Sequence, residues 1–200
     1  ANARPNRAHT ALAELESAGT VDTLITQNVD GLHHRAGSQQ VIDLHGRLQR
    51  VRCMGCGKTA CREQWQGQLA AANPDWQADT DYFAPDGDAK LRDEDVSAFI
   101  APGCASCGGF IKPDVVFFGE NVPKDRVASA FEALDGADAL LVVGSSLMVY
   151  SGYRFARRAA DTGKPIAIVN RGRTRADDIA AVRIDADCGE VLDSVSRNGG

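Results

Sequence analysis

Four cysteines in two C-x-x-C pairs limit the folds open to this chain more than any other feature. The pairs are Cys53-Met-Gly-Cys56 and Cys104-Ala-Ser-Cys107, and glycines flank both of them. Each pair places two thiols on a tight turn, and two such turns supply the four sulfur ligands of a tetrahedral zinc site. A site closed by four protein ligands leaves no position for water, so its metal stabilises the fold and takes no part in chemistry. We predict one structural zinc ion here.

Two other interpretations of these cysteines stay open, namely two disulfides or a redox-active pair. The even total of six cysteines would suit disulfides in a small secreted protein. However, Arg4 and Arg7 precede a helical pattern at the start of the chain, where a signal peptide would have an apolar segment. Metal binding is therefore favoured. We expect Cys61 and Cys188 to be buried thiols rather than ligands.

Outside the cysteine region, predicted strands alternate with predicted helices. The strands cover 21–26, 48–52, 113–118, 139–143, 166–169 and 182–184, and the helices cover 6–17, 124–134, 153–160 and 190–195. This alternation is typical of an α/β fold in which helices cover both faces of a mostly parallel sheet. Between Cys53 and Cys107 the alternation stops, and residues 73–95 are acidic and rich in Pro, Gly and Asp. We interpret that stretch as an inserted module.

Polar motifs directly follow four of the predicted strands, in the order TQNVD, FFGE, GSS and NRG. Ligands of parallel α/β sheets bind at the carboxyl ends of the strands. The GSS motif, residues 144–146, is placed to offer backbone N–H groups and hydroxyls to a phosphate or ribose. His45, in the motif DLHG, is a candidate general base, although a single histidine is more often a structural hydrogen-bonding residue.

Composition excludes several classes of protein. The chain has 200 residues, 44% of them hydrophobic, which is enough for a buried core. Its net charge is −5 with both signs interspersed, so we expect no nucleic-acid binding. The longest apolar run, which lies near residues 137–143, is too short to cross a bilayer. We expect a cytoplasmic protein, or one of the mitochondrial matrix if a targeting segment precedes residue 1.

Taken in order, the motifs resemble those of the sirtuin family. They are TQNVDGLHH, DLHG, the two C-x-x-C pairs, KPDVVFFGE, GSSLMVYSGYRF, IVNRGRTRADD and CGE, and the match runs from about residue 5 to 195. The details GSSLMVYSGYRF, NRGRTRADD and the long insert with APDGD resemble class II sirtuins, the branch that includes a mitochondrial human member.

The resemblance implies a Rossmann-like NAD-binding domain, residues 1–52 and 112–200, and a small zinc-binding module, residues 53–111. It also implies an enzyme that uses NAD as co-substrate to remove acyl groups from protein lysines, giving nicotinamide and O-acyl-ADP-ribose. The substrate is then an acyl-lysine protein or peptide. ADP-ribosyl transfer to proteins, and NAD or ADP-ribose binding without catalysis, are the alternative functions.

The resemblance further assigns roles to individual residues. His45 corresponds to the family's catalytic base, which takes a proton from a ribose hydroxyl. Residues on the nicotinamide, phosphate and adenosine parts of NAD correspond to Gln27, Asn28, Asp30, Gly144, Ser145, Ser146, Asn170, Arg171, Gly172 and Cys188. The segment that pairs with the substrate peptide corresponds to Val116, Phe117, Phe118, Gly119 and Glu120, with Phe117 near the acyl-lysine tunnel.

The resemblance also has a gap. The Gly-rich phosphate loop of the family, of the form GAGxS, does not occur in these 200 residues, nor do the Asp-Phe-Arg segment that follows it and the first strand of the sheet. Because that loop offers the pyrophosphate its main helix N-terminus, we expect these 200 residues alone to bind NAD poorly. Part of the acyl selectivity is expected in the same segment, and the insert over 67–103 is a further candidate.

Overall fold

The computed structural model describes residues 3–76 and 97–198. The helices and strands are, in chain order, α1 Arg7–Ser17, β1 Leu24–Thr26, α2 Leu32–Ala36, β2 Val41–Asp43, β3 Gly46–Cys53, β4 Thr59–Cys61, α3 Arg62–Ala72, β5 Ile111–Val115, α4 Lys124–Gly136, β6 Leu140–Val143, α5 Tyr150–Asp161, β7 Ile166–Val169, a 3₁₀ helix Asp177–Ile179, β8 Val182–Ile184 and α6 Cys188–Asn198.

The chain divides into two compact units. One comprises Ala1–Arg47 and Val115–Gly200, and the other Leu48–Asp114. The limits predicted for the inserted module, residues 53 and 111, stay a prediction. Of the acidic stretch predicted within that module, residues 77–95 lie outside the described part of the chain.

Parallel strands form the centre of the first unit. Strand β1 pairs with β2, and β7 lies between β6 and β8, all in parallel. Neighbouring side chains on one strand point to opposite faces. Accordingly, Leu24 and Val143 contact the core formed with α1 and α6, whereas Ile25 and Val142 contact the core formed with α4 and α5. Helices therefore cover both faces of the parallel strands, which confirms the predicted fold class.

Helix α1 shows how the sequence fixes a local element. Asn6 caps it, because its Oδ1 accepts a hydrogen bond from the His9 backbone N–H at 3.1 Å, and the His9 ring bonds back to the Asn6 N–H. This reciprocal capping satisfies two donors that the first turn leaves open. Leu12 and Leu15, the predicted apolar face, are buried.

The second unit contains a three-stranded sheet in the order β4-β3-β5. Strand β3 runs antiparallel to β4, with Arg50 opposite Cys61. Asp114 on β5 is 3% exposed and pairs with Arg50 and Arg52 on β3, each at 3.0 Å. The two arginines compensate the buried carboxylate, so this ion-pair set joins β3 to β5.

Several element limits differ from the sequence-based prediction. Helix α5 begins at Tyr150 instead of residue 153. Strand β5 ends at Val115 and not at Phe118, because the Val116 N–H donates instead to the His45 carbonyl at 2.9 Å. The short elements α2, β2 and β4 were not predicted, nor was α3, which buries none of its residues and so lacks an apolar stripe.

Within residues 3–76 and 97–198, no helix is both long enough and apolar enough to cross a lipid bilayer.

Candidate functional site

The two C-x-x-C turns bring their four sulfur atoms together. Cys53, Cys56, Cys104 and Cys107 have Sγ atoms that all lie within 4.8 Å of one another. The shortest separations join the two turns, at 3.5 Å from Cys53 to Cys107 and 3.8 Å from Cys56 to Cys104. Four sulfurs bound tetrahedrally to zinc at about 2.3 Å lie about 3.8 Å apart. The cluster therefore fits one zinc ion, whereas a disulfide needs about 2.05 Å between sulfurs.

Electrostatics within the cluster also favour a metal. Hydrogen bonds from the backbone N–H groups of Cys56 and Gly55 lower the pKa of Cys53 to about 6. Although the Gly109 N–H lowers the pKa of Cys107, hydrogen bonding with the Cys53 and Cys56 sulfurs raises it to about 11. Four thiolates at this spacing repel one another, and a divalent cation removes that repulsion. Zinc bound here would supply structural cross-linking and no chemistry.

Gly109 lies against the cluster, whereas Cys61 and Cys188 lie outside it. A Cβ atom on Gly109 would lie 3.0 Å from the Cys53 Sγ, so the turn needs glycine at this close approach. Cys61 is exposed, which makes the prediction of a buried thiol wrong, because β4 buries none of its residues. Cys188 is partly buried. Neither belongs to the metal-binding group found in the described residues.

His45 lies between β2 and β3 in the first unit. Next to it in sequence, the Asp43 carboxylate is held by His34 Nε2 at 3.0 Å and Arg47 Nε at 3.1 Å. Leu44, 1% exposed, anchors the same turn in the core. The His45 backbone is therefore fixed on both sides, and its Nε2 lies 3.0 Å from the Ser151 hydroxyl at the start of α5.

The surroundings of His45 keep its imidazole neutral. Burial lowers the pKa of His45 below the ordinary 6.5, and the positive charges of Arg154 and Arg126 lower it further. A hydrogen bond from the ring to the Gln27 backbone opposes these effects on the pKa but does not outweigh them. At neutral pH the ring is therefore an unprotonated base.

A chain of hydrogen bonds joins His45 to two predicted cofactor residues. The Gln27 side-chain amide donates to the Ser151 hydroxyl at 3.2 Å, and the Ser145 hydroxyl donates to Gln27 Oε1 at 3.5 Å. Gln27 follows β1 and Ser145 follows β6, so both lie at carboxyl ends of parallel strands. The structure thus brings His45, Gln27 and Ser145 together, with Ser151 between them.

A second group of predicted residues meets at the ends of β6 and β7. The Gly144 N–H and the Cys188 thiol both donate to the Val169 carbonyl, at 2.9 and 3.3 Å. Gly144 has a φ of 58°, which favours glycine, and its N–H is bonded within the protein, so its place among the cofactor residues stays a prediction that does not depend on that N–H. Ser146 is exposed nearby, and its carbonyl accepts a bond from the Arg175 N–H.

The NRG motif shapes the loop that follows β7. The Asn170 amide is buried and donates to the carbonyls of Arg171 and Gly172 at 2.8 and 3.2 Å. Arg171 is exposed and lies 3.5 Å from Asp187. The amide of Asn170 thus holds the loop, while Arg171 faces solvent.

Asn28 and Asp30 lie on the loop between β1 and α2. Asn28 is exposed, and its backbone N–H donates to the Thr26 hydroxyl at 3.1 Å. Asp30 Oδ1 accepts a hydrogen bond from the Leu32 N–H at 2.9 Å, which forms a local turn just before α2. These contacts fix the loop and leave the Asn28 amide available to a ligand.

The segment predicted to pair with a peptide begins directly beside His45. Val116 bonds to the His45 carbonyl, and the chain then turns, with the Glu120 carboxylate accepting from the Phe117 N–H at 3.0 Å. Gly119 has a φ of 86° within this turn. Phe117 is 50% exposed and Phe118 is fully exposed.

Three residues of α5 were missed as site residues. Ser151 bridges His45 and Gln27, Arg154 contributes positive charge to His45, and Gly152 lies against Gln27. A Cβ atom on Gly152 would lie 2.6 Å from Gln27 Oε1, so any larger residue would displace the Gln27 amide from its present position. The available signal was the Ser-Gly pair in GSSLMVYSGYRF, which the predicted start of α5 left outside the helix.

Comparison with known proteins agrees with this geometry. A family model described as the Sir2 family matches residues 1–151. An NAD-dependent protein deacetylase of Bordetella bronchiseptica is 58% identical over 193 residues, which is 96% of this chain and 70% of that protein. The Bos taurus protein named NAD-dependent protein lipoamidase sirtuin-4, mitochondrial, is 49% identical over 189 residues, 94% of this chain and 60% of that protein.

A solved structure gives the same result. A Sir2 complex with a p53 peptide and NAD+ matches with a TM-score of 0.75 and 34% identity, covering 99% of this chain and 71% of that one. The parallel strands between helix layers, the four-cysteine cluster and these matches together assign the family. The chain belongs to the Sir2 family, the sirtuins.

Proposed function

We propose that this protein removes acyl groups from protein lysine side chains with NAD as co-substrate, giving nicotinamide and O-acyl-ADP-ribose. The observation that carries the proposal is the position of His45. Its ring is linked through the Ser151 hydroxyl to the Gln27 side chain, which in turn accepts from Ser145, and its backbone carbonyl accepts from Val116, the first residue of the predicted peptide segment. One histidine thus borders both proposed substrate positions. The related deacetylase and the related Sir2 complex with peptide and NAD+ support the same activity.

The residues suit the chemistry in the following way. NAD supplies the ribose to which the acyl group is transferred. His45, neutral at physiological pH, accepts a proton at its imidazole from a ribose hydroxyl, so that the hydroxyl oxygen becomes a nucleophile. Gln27 and Ser145 position the nicotinamide end, with Asn28 and Asp30 on the adjoining loop. Gly144, Ser146, Asn170, Arg171, Gly172 and Cys188 hold the phosphates and the adenosine.

Residues 116–120 are proposed to hold the peptide. Val116 is half-buried, and residues 117–120 continue past the end of β5 as exposed chain, which places this segment within reach of a peptide. Phe117, half exposed, is placed to contact the acyl-lysine. Zinc bound by the four cysteines stabilises the second unit and stays outside the reaction.

We also place the protein in the cytoplasm and assign it no nucleic-acid partner. A cluster of four free thiols suited to zinc is typical of a reducing compartment, of which the cytoplasm is one. The net charge of −5 opposes binding to a phosphate backbone.

The test is incubation of the full-length, zinc-loaded protein with NAD and a panel of lysine peptides carrying acetyl, longer acyl or lipoyl groups. The lipoyl peptide is included because of the related lipoamidase. We expect nicotinamide, deacylated peptide and O-acyl-ADP-ribose in equal amounts, and none of them without NAD. Nicotinamide with labelled protein and unchanged peptide would instead establish ADP-ribosyl transfer. NAD binding without nicotinamide release would establish a non-catalytic protein.

A further inference from the structure

Ser151 connects the candidate base to the cofactor residues, although no role has been assigned to it. Its side chain is 9% exposed, in the first turn of α5. The hydroxyl lies 3.0 Å from His45 Nε2 and 3.2 Å from the Gln27 amide nitrogen. A buried hydroxyl with two polar partners is held in one orientation, because losing either partner costs free energy.

The donors and acceptors in this chain define its direction. Gln27 Nε2 has only hydrogens to offer, so it donates and the Ser151 oxygen accepts. The Ser145 hydroxyl correspondingly donates to Gln27 Oε1, which fixes the amide orientation from its other end. The Ser151 hydrogen is then left for His45 Nε2, so this nitrogen is the acceptor.

The other side of the imidazole agrees with this direction. The Gln27 backbone also raises the pKa of His45, and because its carbonyl can only accept, this favours a proton on the ring nitrogen that does not face Ser151. Nδ1 therefore carries the proton. Donation from Nδ1 and acceptance at Nε2 define one neutral tautomer, with its basic lone pair on Nε2.

We propose that Ser151 is a positioning residue, which holds His45 in the neutral tautomer with the proton on Nδ1 and the lone pair on Nε2. The proposal rests on the deacylase function above and extends it. A substrate hydroxyl replaces the Ser151 hydroxyl as donor to Nε2, and the ring does not have to turn. The proton of that hydroxyl moves to Nε2, while the Nδ1 proton stays in place. Ser151 itself takes part in no bond that is made or broken.

Gly152 makes this arrangement possible. A Cβ atom there would overlap Gln27 Oε1, at 2.6 Å, and push the amide away from Ser151. Ser151 and Gly152 therefore act together. Ser151 hydrogen-bonds to His45, and Gly152 leaves room for the Gln27 amide that orients Ser151.

The experiment measures the His45 ring directly, by nitrogen-15 NMR of the histidines as a function of pH, without NAD. The variants are Ser151→Ala, Ser151→Thr, which keeps the hydroxyl, and Ser17→Ala, which makes the same change at an exposed position on α1. Wild type is expected to show the proton on Nδ1. Ser151→Ala should raise the pKa of His45 by about 0.5 to 1 unit and mix the two tautomers, since a donor to the neutral form is lost. Ser151→Thr and Ser17→Ala should match wild type.

Kinetics of the same variants give a second readout. Ser151→Ala should lower kcat about 3- to 10-fold, the value of one hydrogen bond, with the KM for NAD and peptide nearly unchanged. The acidic limb of its pH–rate profile should move to higher pH by the same amount as the pKa of the His45 ring. If Ser151→Ala fails to fold, Gly152→Ala tests the same chain and should shift the ring in the same direction by a smaller amount.

Two outcomes would overturn the proposal. One is that the His45 ring in Ser151→Ala has the same tautomer and the same pKa as in wild type. The other is a lower melting temperature with an unchanged pH profile, which would make Ser151 merely structural. Absence of turnover in wild type would contradict the deacylase function instead, and the ring titration would still decide the role of Ser151.

Discussion

The pKa of His45 is set by its surroundings and differs from that of an ordinary histidine. Histidines usually titrate near pH 6.5. Burial and the charges of Arg154 and Arg126 bring the pKa of His45 below that value. A general base must be unprotonated to work, so a lowered pKa extends the active range toward acid. The arginines beside His45 thus favour its basic form as well as carrying charge.

His45→Ala is the direct test of this residue. We expect deacylation to fall by about 10² to 10⁴, the usual contribution of a general base, with zinc content unchanged. In wild type, the midpoint of the acidic decline in kcat/KM should lie below pH 6.5, because the pKa of His45 is lowered. The measurement is the pH–rate profile alongside metal analysis. A wild-type rate in His45→Ala would remove this residue from the mechanism.

The roles of individual residues were predictable from motifs, but their contacts were not. His45 and Gln27 were singled out from the chain sequence, whereas Ser151 was missed. Ser151 is 106 positions from His45 and 124 from Gln27. Separations of this size carry no local pattern, since only the fold brings such residues together.

At the scale of elements, α1 and α2 meet through two histidine rings. His9 and His33 have ring centroids 4.6 Å apart. Burial, reinforced by the neighbouring His9, lowers the pKa of His33 to about 4, and burial also lowers the pKa of His9. His34 acts in the same direction on His33, while Asp30 and Asp43 act against it. The contact between the two helices therefore requires neutral rings.

The contact between His9 and His33 predicts that the folded protein is less stable in acid. Between pH 6.5 and about 4, the unfolded chain binds a proton at His33 that the folded chain does not, so stability falls as pH drops through this window. From pH 7 to 5 the loss should be about 1 kcal/mol, after allowance for solvent screening of a half-buried ring. Urea unfolding at both pH values measures it. His33→Gln should lose less stability over that interval, and an equal loss would show that His33 is not responsible.

Some helices and strands followed from sequence patterns at or near their observed limits, and others did not. Strands β7 and β8 were predicted at their observed limits, and α1 differed by one residue. Strand β1 was predicted too long, over 21–26, and the three-residue strand β2 was missed, because a strand of three residues is too short to show an alternation. Strand β5 was predicted too long because apolar residues 116–118 continue its pattern, although their backbone turns away.

For the whole molecule, the two units depend on different sources of stability. The first has two hydrophobic clusters, on opposite faces of its parallel strands. Among its described residues, the second unit buries few apolar side chains, and Cys53 and Cys104 are two of them. A small unit with little core needs a cross-link such as a metal. The four-cysteine cluster is thus the main support of Leu48–Asp114.

Removal of the metal should therefore affect the two units unequally. We expect about one zinc per chain in protein purified without chelator, the content of a single four-cysteine site. Cys56→Ser removes one ligand, so the variant should lose the metal. The second unit should then unfold, because the free energy of metal binding at such sites is what stabilises the folded state. Cys61→Ser, at an exposed cysteine outside the cluster, is the matched control and should keep both.

Metal analysis, far-ultraviolet circular dichroism and limited proteolysis follow the outcome. In Cys56→Ser, cleavage should concentrate within Leu48–Asp114, while much of the helical signal persists, since α1, α4, α5 and α6 have their own hydrophobic clusters. Zinc-free wild type with an intact, protease-resistant second unit would contradict the structural role. If Cys61→Ser lost as much zinc as Cys56→Ser, the four assigned ligands would be wrong and Cys61 would be one of the true ligands. Replacing a single sulfur by oxygen should release the metal only at a ligand position.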